Sequence, residues 1–234
     1  MAPEWQWDEC VQQGTDYETS AEVEAYDVRM AALRDVAREH ERILDFLRLK
    51  PDDIVLEIGA GTGAFTREAA RHCRLAIGAD VSDAMLSYAA TKAQEEGLTN
   101  AVFRKGGFLT YEHEGEPVSA VVSQLALHHL PDPWKLVGLR RVARMIRPGG
   151  RFFLSDVVFA DIMADDPAAY CAGVLAALPA SFGPPMARHL RQEFSTFDWI
   201  MRQLLERAGF LIEEADVGTE FMSHYLCWKV GGPA

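Results

Sequence analysis

The sequence lacks the features of a membrane protein and of a disulfide-stabilised domain. No apolar run approaches the ~20 residues that cross a bilayer, and the amino terminus carries Glu4, Asp8 and Glu9 where a signal peptide has basic and apolar regions. The four cysteines are scattered: Cys10, Cys73, Cys171 and Cys227. Because none of them forms a C-x-x-C pair, we expect free thiols and no zinc site. These absences predict a cytoplasmic protein with no membrane partner and no metal.

Positive charge is also scarce. The chain has 23 Lys and Arg against 35 Asp and Glu, a formal net charge of -12. A nucleic-acid-binding protein usually offsets phosphate charge with a basic face, and the densest arginine group, at 140–151, is explained by a solvated helix face. We therefore expect no nucleic acid partner. The acidity is compatible with a neutral or cationic small molecule as substrate.

The most informative segment runs from Asp53 to Ser82. A short apolar run ends in Glu57-Ile58-Gly59-Ala60-Gly61-Thr62-Gly63, and a helix-compatible segment follows, which predicts strand, glycine turn and helix. Glycines let the backbone approach a ligand closely, and the start of a helix attracts an anionic group. A second apolar segment ends in Asp80, where a carboxylate can accept hydrogen bonds from ribose hydroxyls. The pattern predicts a site for a nucleoside-containing cofactor.

The glycine turn alone leaves two classes of cofactor open. The run from Gly59 to Ala64 also satisfies the dinucleotide pattern G-x-G-x-x-G/A, so a nicotinamide-dependent reductase is one alternative. Tyr88 and Lys92 even have the Y-x-x-x-K spacing of short-chain dehydrogenases. They follow the second strand directly, however, far from where that pair works, and we interpret the spacing as coincidence.

The residues around the turn separate these classes. Glu57 at the strand end, a third glycine at Gly63, and the run Asp80-Val81-Ser82 ahead of Met85 resemble a class I S-adenosylmethionine-dependent methyltransferase of the small-molecule type, similar to the quinone-biosynthesis methyltransferases. The resemblance covers residues 54–156 with gaps and resumes weakly at 197–230. It implies that the turn holds the methionine part of S-adenosyl-L-methionine and that Asp80 holds the ribose, with S-adenosyl-L-homocysteine as product.

A second, independent motif supports this resemblance. The apolar segment 117–124 predicts a strand, and it leads into Leu127-His128-His129-Leu130-Pro131-Asp132, which resembles the fourth motif of the family. A helix with a buried stripe follows and ends at Pro148-Gly149-Gly150, and a buried strand is predicted at 151–157. This order of elements is also typical of the family.

One position departs from the family pattern. The Gly-Asp pair that usually contacts adenine after the third strand is Gly106-Gly107 here, followed by Phe108. The adenine amine thereby loses a side-chain acceptor. We expect backbone groups near Gly107 and Phe108, with apolar packing from Met85 and Phe108, to hold the ring. An ordinary core role for Met85 is an equal alternative.

The resemblance implies a set of site residues. The predicted cofactor-binding residues are Tyr17, Glu57, Gly59, Ala60, Gly61, Gly63, Asp80, Val81, Met85, Gly107, Phe108, Ser123 and Gln124. The candidate catalytic residues are Tyr26, His128 and His129. Either imidazole could take a proton from the acceptor, because imidazole titrates near neutrality, or it could cap its loop and pack beneath the cofactor. The tyrosines either approach the cofactor or pack the amino terminus onto the sheet.

The element order and the resemblance imply an α/β fold, a Rossmann-like three-layer sandwich. We expect one domain over residues 1–234, with a seven-stranded, mostly parallel sheet in the order 3-2-1-4-5-7-6 and an antiparallel last strand. Residues 1–48 form an N-terminal helical cap with an amphipathic helix at 21–48, and residues 159–194 form a lid-like insertion over the carboxyl ends of the strands. Candidates to line the acceptor pocket from the insertion are Tyr170, Phe182, Met186 and His189.

The expected chemistry is direct displacement on an activated methyl group. The protein mainly has to align acceptor, methyl and sulfur, so a general base is optional. Asp156, at the end of the fifth strand, either orients the acceptor or caps the next segment. Beside the reductase, a non-catalytic methyltransferase-like binding subunit remains as an alternative function.

Overall fold

The computed structural model describes residues 3–11, 19–217 and 222–230. Its α-helices are α1 Ser20–Leu33, α2 Val36–Leu47, α3 Ala64–Ala70, α4 Asp83–Glu95, α5 Asp132–Met145, α6 Ile162–Asp165, α7 Pro167–Ala177, α8 Gly183–Gln192 and α9 Asp198–Ala208. Its strands are β1 Ile54–Ile58, β2 Leu75–Asp80, β3 Ala101–Lys105, β4 Val118–Gln124, β5 Ile146–Phe159, β6 Thr196–Phe197, β7 Phe210–Val217 and β8 Met222–Lys229. Short 3-10 helices occupy Leu127–His129 and Ala180–Phe182.

The sheet has the predicted topology. Its strands are ordered β3-β2-β1-β4-β5-β8-β7, which among the seven long strands is 3-2-1-4-5-7-6. β1 to β5 are mutually parallel, and the last strand, β8, runs antiparallel to both neighbours, β5 and β7. A two-residue strand that the sequence did not predict, β6, pairs with the end of β5. The carboxyl ends of β1, β2 and β4 therefore lie side by side, where a ligand binds in open α/β sheets.

The three-layer arrangement follows from strands that are buried on both faces. All five residues of β1 are buried. Val55 packs with Ile43 of α2 and Phe65 of α3 in one apolar cluster, whereas Leu56 belongs to a second cluster with Leu139 of α5. Successive side chains of a strand point to opposite faces, so an apolar run without alternation requires cover on both sides.

The predicted helix at 21–48 is two helices. α1 ends at Leu33 and α2 begins at Val36, and Oδ1 of Asp35 accepts a hydrogen bond from the amide of Arg38 at 3.2 Å. This N-cap satisfies an amide that would otherwise lack a partner at the start of α2. The break leaves Arg34 in the extended connection between the two helices.

β5 is longer than predicted. α5 ends at Met145 and β5 begins at Ile146, so Pro148-Gly149-Gly150 lies inside the strand and not before it. The pairing of β5 with β4 changes register between Val118 and Ala120. At Gly150, a Cβ atom would lie 2.7 Å from the carbonyl oxygen of Ser119, so this close approach requires glycine.

The insertion between β5 and β6 contains α6, α7 and α8. The last residue of the insertion is hydrogen-bonded to the first 3-10 helix: the amide of Phe194 donates to the carbonyl oxygen of His128 at 2.9 Å. The fully buried ammonium of Lys135 donates to the carbonyl oxygen of Phe194 and, at 2.8 Å, to Asp132. Among the described helices, none is long and apolar enough to cross a membrane.

Candidate functional site

The glycine turn after β1 has a left-handed backbone at all three predicted glycines. The φ angles are 77° at Gly59, 52° at Gly61 and 72° at Gly63. A Cβ atom at Gly59 would lie 2.3 Å from Cβ of Ala126, and one at Gly63 would lie 2.6 Å from the ring of Phe103. At Gly61 nothing lies within 4 Å of that position, so the turn opens there toward a ligand.

Asp80 holds this turn in place from the end of β2. Its Oδ2 accepts the amide of Gly61 at 2.7 Å, and its Oδ1 accepts the amide of Ser82 at 2.9 Å. The amides of Gly59 and Ala60 both donate to the carbonyl oxygen of Ala79. The turn is thus organised by its own hydrogen bonds, and a carboxylate oxygen accepts more than one, which is compatible with a ribose at Asp80.

Most of the predicted site residues line one cavity over the carboxyl ends of β1, β2 and β4. Those on its wall are Tyr26, Gly59, Gly61, Asp80, Val81, Met85, Gly107, Phe108, Gln124 and His129. A second cavity shares Tyr26, Gly59, Gly61, Gln124 and Leu125 with the first and adds Glu57 and Ala60 to the predicted set. The two cavities therefore adjoin each other along the glycine turn.

Three predicted residues stand apart from this surface, and a fourth falls outside the described residues. Ser123 is fully buried, and its hydroxyl donates to the carbonyl oxygen of Ile58 at 2.8 Å. Gly63 is the N-cap of α3 and packs on Ala89 and Phe103. His128 lies behind the cavity wall, and Tyr17 lies outside the described residues.

Glu57 is buried beneath the turn and is largely occupied within the protein. Its Oε2 accepts a hydrogen bond from the hydroxyl of Thr66 at 2.5 Å, and Nε2 of Gln124 lies 3.5 Å from its Oε1. Burial, which disfavours the charged form, raises the pKa of Glu57 to about 7 despite these hydrogen bonds. Glu57 therefore mainly stabilises the conformation at the end of β1 through these contacts.

Arg34 is a site residue that the sequence did not reveal. It lines the second cavity together with Asp27, Thr62 and Glu57. Its Nε and Nη1 atoms are buried without a hydrogen-bond partner, and Nη1 lies 3.5 Å from Oε2 of Glu39. A guanidinium with buried donors suits a carboxylate ligand. No local pattern marks this role, because it depends on the break between α1 and α2.

His128 is held between two carboxylates. Its Nδ1 lies 2.5 Å from Oδ1 of the fully buried Asp156, and its Nε2 lies 3.1 Å from Oε2 of Glu193. Burial alone would lower the pKa of His128, but the two carboxylates outweigh it and raise the pKa to about 9. The ring is a charged donor at neutral pH, so the geometry favours the structural alternative over a general base.

His129 has the opposite environment. Its ring lines the cavity, and its Nδ1 is buried without a hydrogen-bond partner. Burial, reinforced by the charge of neighbouring His128, lowers the pKa of His129 to about 3. Tyr26 lines the same cavity, and burial raises the pKa of its hydroxyl. At neutral pH the cavity therefore meets a neutral imidazole and a neutral phenol.

Glu193 joins this histidine cluster to the insertion. It accepts from His128 and, at 2.5 Å, from Nδ1 of His189 on α8, whose Nε2 lies 2.7 Å from the hydroxyl of Ser195. These histidine hydrogen bonds hold the pKa of Glu193 well below its usual range, although burial opposes them. Ligand atoms of His128, His129 and Glu193 lie within 4.8 Å of one another, a grouping of the kind that holds a metal. Both ring nitrogens of His128 are instead paired with carboxylates, Nδ1 with Asp156 and Nε2 with Glu193.

The four insertion residues proposed to line the acceptor pocket do not do so in the described structure. None of Tyr170, Phe182, Met186 and His189 is on the wall of either cavity at the glycine turn. Tyr170 packs edge-on against Phe159, with ring centroids 6.2 Å apart, and lines a separate cavity within the insertion. The wall is completed instead by the amino-terminal Glu9 and Val11.

Comparisons with known proteins agree with this fold and site. A methyltransferase domain family matches residues 55–150. An uncharacterized methyltransferase of Geobacillus kaustophilus is 31% identical over 188 residues, which cover 80% of this chain and 81% of the relative. The YcgJ protein of Bacillus subtilis has a similar structure, with a TM-score of 0.65 and 15% identity over 84% of this chain and 100% of that one.

A further solved structure carries the product of the cofactor. Magnesium protoporphyrin IX methyltransferase from Synechocystis, crystallised with bound S-adenosylhomocysteine, has a TM-score of 0.60 and 17% identity, and 82% of each chain is covered. The solved structures, at 15% and 17% identity, show the fold alone. The Geobacillus relative, at 31% identity, shows the family. The chain belongs to the class I S-adenosylmethionine-dependent methyltransferases.

Proposed function

We propose that this chain transfers a methyl group from S-adenosylmethionine to a small-molecule acceptor by direct displacement. The observation that carries the proposal is the cavity over the glycine turn, whose wall includes Asp80 and Met85 as well as Tyr26 and His129, and which adjoins a second cavity lined by Arg34. The cofactor is elongated, with a nucleoside at one end and an amino acid at the other. A narrow cavity of this kind aligns the methyl group with an acceptor, and alignment lowers the barrier by several kcal/mol.

The polar groups along the cavity support one orientation of the cofactor. Asp80 accepts from the ribose hydroxyls, and the apolar side chains of Met85 and Phe108 pack against the base. At the other end, Arg34 pairs with the α-carboxylate of the methionine part, which satisfies its buried nitrogens. In this orientation Gly61 is where the cofactor passes closest to the backbone.

The acceptor side has hydrogen-bonding groups without a strong base. Tyr26 is protonated and His129 is neutral at physiological pH, because burial moves both pKa values away from neutrality. We assign to them the orientation of the acceptor through hydrogen bonds. Removal of a proton from the acceptor then falls to water or follows transfer, which direct displacement from a sulfonium permits. His128 acts as a positioning residue that keeps His129 and its loop against the cavity.

The net charge of the chain and the enclosure of the cavity both support a small acceptor. The chain has a net charge of -12, which disfavours the approach of a polyanion. The cavity wall closes over the turn with Glu9 and Val11 of the amino-terminal segment and with Leu130 after the 3-10 helix. We propose that the helical cap and the 159–194 insertion act as a lid on this site. The cap already contributes Tyr26 to the wall, and the insertion, which lines neither cavity in this structure, reaches the acceptor when the lid closes.

Binding calorimetry tests the cofactor site. Asp80→Ala should weaken S-adenosylhomocysteine binding by about 1.5–3 kcal/mol, the range for a hydrogen bond to a charged group. Asp83→Ala is the matched control, because Asp83 is exposed and pairs with Lys105 outside the cavity. NADH should not bind. Undiminished affinity in Asp80→Ala, or preferential binding of NADH, would refute the assignment and favour the reductase.

A labelled-methyl assay tests the class of acceptor. The protein would be incubated with S-adenosylmethionine carrying a tritiated methyl group and with separated small-molecule, RNA and protein fractions of a cell extract. We expect label only in the small-molecule fraction. Label in RNA or protein would contradict the proposed acceptor class. Binding of the cofactor without transfer to any fraction would support the non-catalytic alternative.

A further inference from the structure

The amino-terminal segment places a carboxylate where the loop after β3 has no side chain. Both Oε atoms of Glu9 lie 3.0 Å from the amide nitrogen of Leu109, and Oε1 accepts the hydroxyl of Thr110 at 2.6 Å. A Cβ atom built on Gly107 would lie 2.6 Å from Oε2 of Glu9. Glu9 therefore occupies the space that a side chain at position 107 would need.

Two aromatic contacts anchor the segment that carries Glu9. Trp5 stacks on Trp134 of α5, with ring centroids 6.2 Å apart and ring planes at 17°. Trp7 meets Phe194 edge-on, with centroids 5.2 Å apart. The segment is thus attached to two separate elements on the approach to Glu9. The segment forms no helix or strand, so these ring contacts and the hydrogen bonds of Glu9 with Leu109 and Thr110 are what attach it here.

Glu9 is part of the cavity wall at its nucleoside end. It lines the cavity together with Asp80, Met85, Gly107 and Phe108. A base attached to a ribose at Asp80 would reach this end, between the side chains of Met85 and Phe108. Among the described residues that line this wall, Glu9 and Asp80 are the two that carry a carboxylate.

The backbone acceptors near Gly107 already have partners. The amide of Gly107 donates to Oγ1 of Thr110 at 3.1 Å, and its carbonyl oxygen accepts the amide of Tyr111 at 3.0 Å. The carbonyl oxygen of Phe108 accepts Nε of Arg141 at 3.1 Å. Each of these carbonyl oxygens has one acceptor position left, whereas the carboxylate of Glu9 offers about four positions and a negative charge, and the amide of Leu109 and the hydroxyl of Thr110 do not fill them all.

We propose that Glu9 accepts a hydrogen bond from the exocyclic amine of the cofactor's adenine, and so supplies from the amino-terminal segment the acceptor that Gly107 lacks. The inference rests on the proposed function, since it assumes a ribose at Asp80. The proposed hydrogen bond also predicts that the site prefers adenine to hypoxanthine. A carboxylate attracts the amine of adenine and repels the carbonyl oxygen that hypoxanthine carries at the same ring position.

Calorimetry with two ligands tests the proposal in the full-length protein. S-Adenosylhomocysteine and S-inosylhomocysteine differ at that ring position. We expect the wild type to prefer the adenosyl ligand by on the order of 10- to 100-fold, the range for a hydrogen bond to a charged group. Glu9→Ala should lose most of this preference by weakening the adenosyl ligand. Glu4→Ala, an exposed change in the same segment, should retain it.

A compensating pair separates recognition from a structural role. Gly107 does not have a left-handed backbone, so an aspartate fits there once the Glu9 carboxylate is removed. Glu9→Ala combined with Gly107→Asp should regain the adenosyl preference, whereas Gly107→Asp alone should bind poorly, because its Cβ meets Glu9. The proposal is overturned if Glu9→Ala weakens both ligands equally or changes neither. If the wild type binds neither ligand, the proposed function fails as well, which is a distinct result.

Discussion

Replacing Glu57 by glutamine should remove a pH-dependent loss of stability that this buried carboxyl imposes on the folded protein. Glu57 is 4% exposed, and burial raises its pKa from 4.5 to about 7, with a smaller contribution from the negative charge of Asp80. Hydrogen bonds from Thr66 and Gln124 act in the opposite direction. The folded state therefore keeps a proton on Glu57 at pH values where the unfolded chain has lost it.

The sign and the size of the effect follow from this difference. Below pH 4.5 the carboxyl is protonated in both states, and it contributes no pH dependence. Between 4.5 and about 7 the unfolded chain ionises first, so the free energy of unfolding falls as pH rises. The separation between these pKa values corresponds to about 3 kcal/mol, which is fully lost above pH 7. Glutamine cannot ionise and should not show this decrease.

Urea denaturation between pH 4 and 8 measures the effect. The quantity of interest is the free energy of unfolding of wild type minus that of Glu57→Gln, because other titrating groups cancel in the difference. We expect this difference to fall by about 3 kcal/mol across the window. Glu41→Gln, on the exposed face of α2, is the control and should give a flat difference. A flat difference for Glu57→Gln would show that the carboxyl is ionised in the fold and would refute the reasoning.

Three further predictions concern the site. Arg34→Gln should weaken S-adenosylhomocysteine binding by roughly tenfold but leave 5′-methylthioadenosine unchanged, because the latter has no carboxylate; calorimetry measures both. Equilibrium dialysis should find no stoichiometric zinc, because both ring nitrogens of His128 are already paired with carboxylates, those of Asp156 and Glu193. Hydrogen exchange should show that S-adenosylhomocysteine protects residues 3–11 and 159–194 as well as the glycine turn, as expected of a lid that closes on the cofactor.

Each of these three predictions has a result that would contradict it. Equal losses for both nucleosides in Arg34→Gln would indicate a structural role for the guanidinium. One zinc per chain, lost in Glu193→Gln, would show that the histidine cluster is a metal site. Protection confined to the glycine turn and the Asp80 region would reject the lid.

Local sequence was enough to predict the elements that depend on neighbouring residues. The strand, glycine turn and helix at 54–70 were predictable because apolar run, turn and helix follow one another within a few residues. The same holds for the Asp80 carboxylate, which follows directly from the end of β2. The sheet order followed from resemblance to a family, and the structure has that order.

Contacts between distant parts of the chain determine which side chains are buried and what they face. His128 and Asp156 were visible as residues, but the carboxylate on the other side of the imidazole, Glu193, comes from a separate element. Sequence order could not show that His128 is charged and His129 neutral. The pKa of each imidazole depends on its burial and on nearby charges, and both of these are set mainly by residues distant in the sequence. The prediction that Tyr170 lines the acceptor pocket was wrong for the same reason, because its position in the chain did not reveal that it packs within the insertion.

The adenine end of the cavity shows the same division. The sequence showed that Gly107 lacks a side-chain acceptor, but only the fold brings Glu9 to Leu109, a residue 100 positions further along the chain. The attachment of that segment depends on the Trp5 and Trp7 contacts, which involve α5 and the end of the insertion. A periodic pattern reports local structure, whereas contacts between distant segments form only when the apolar faces of separate elements are buried together.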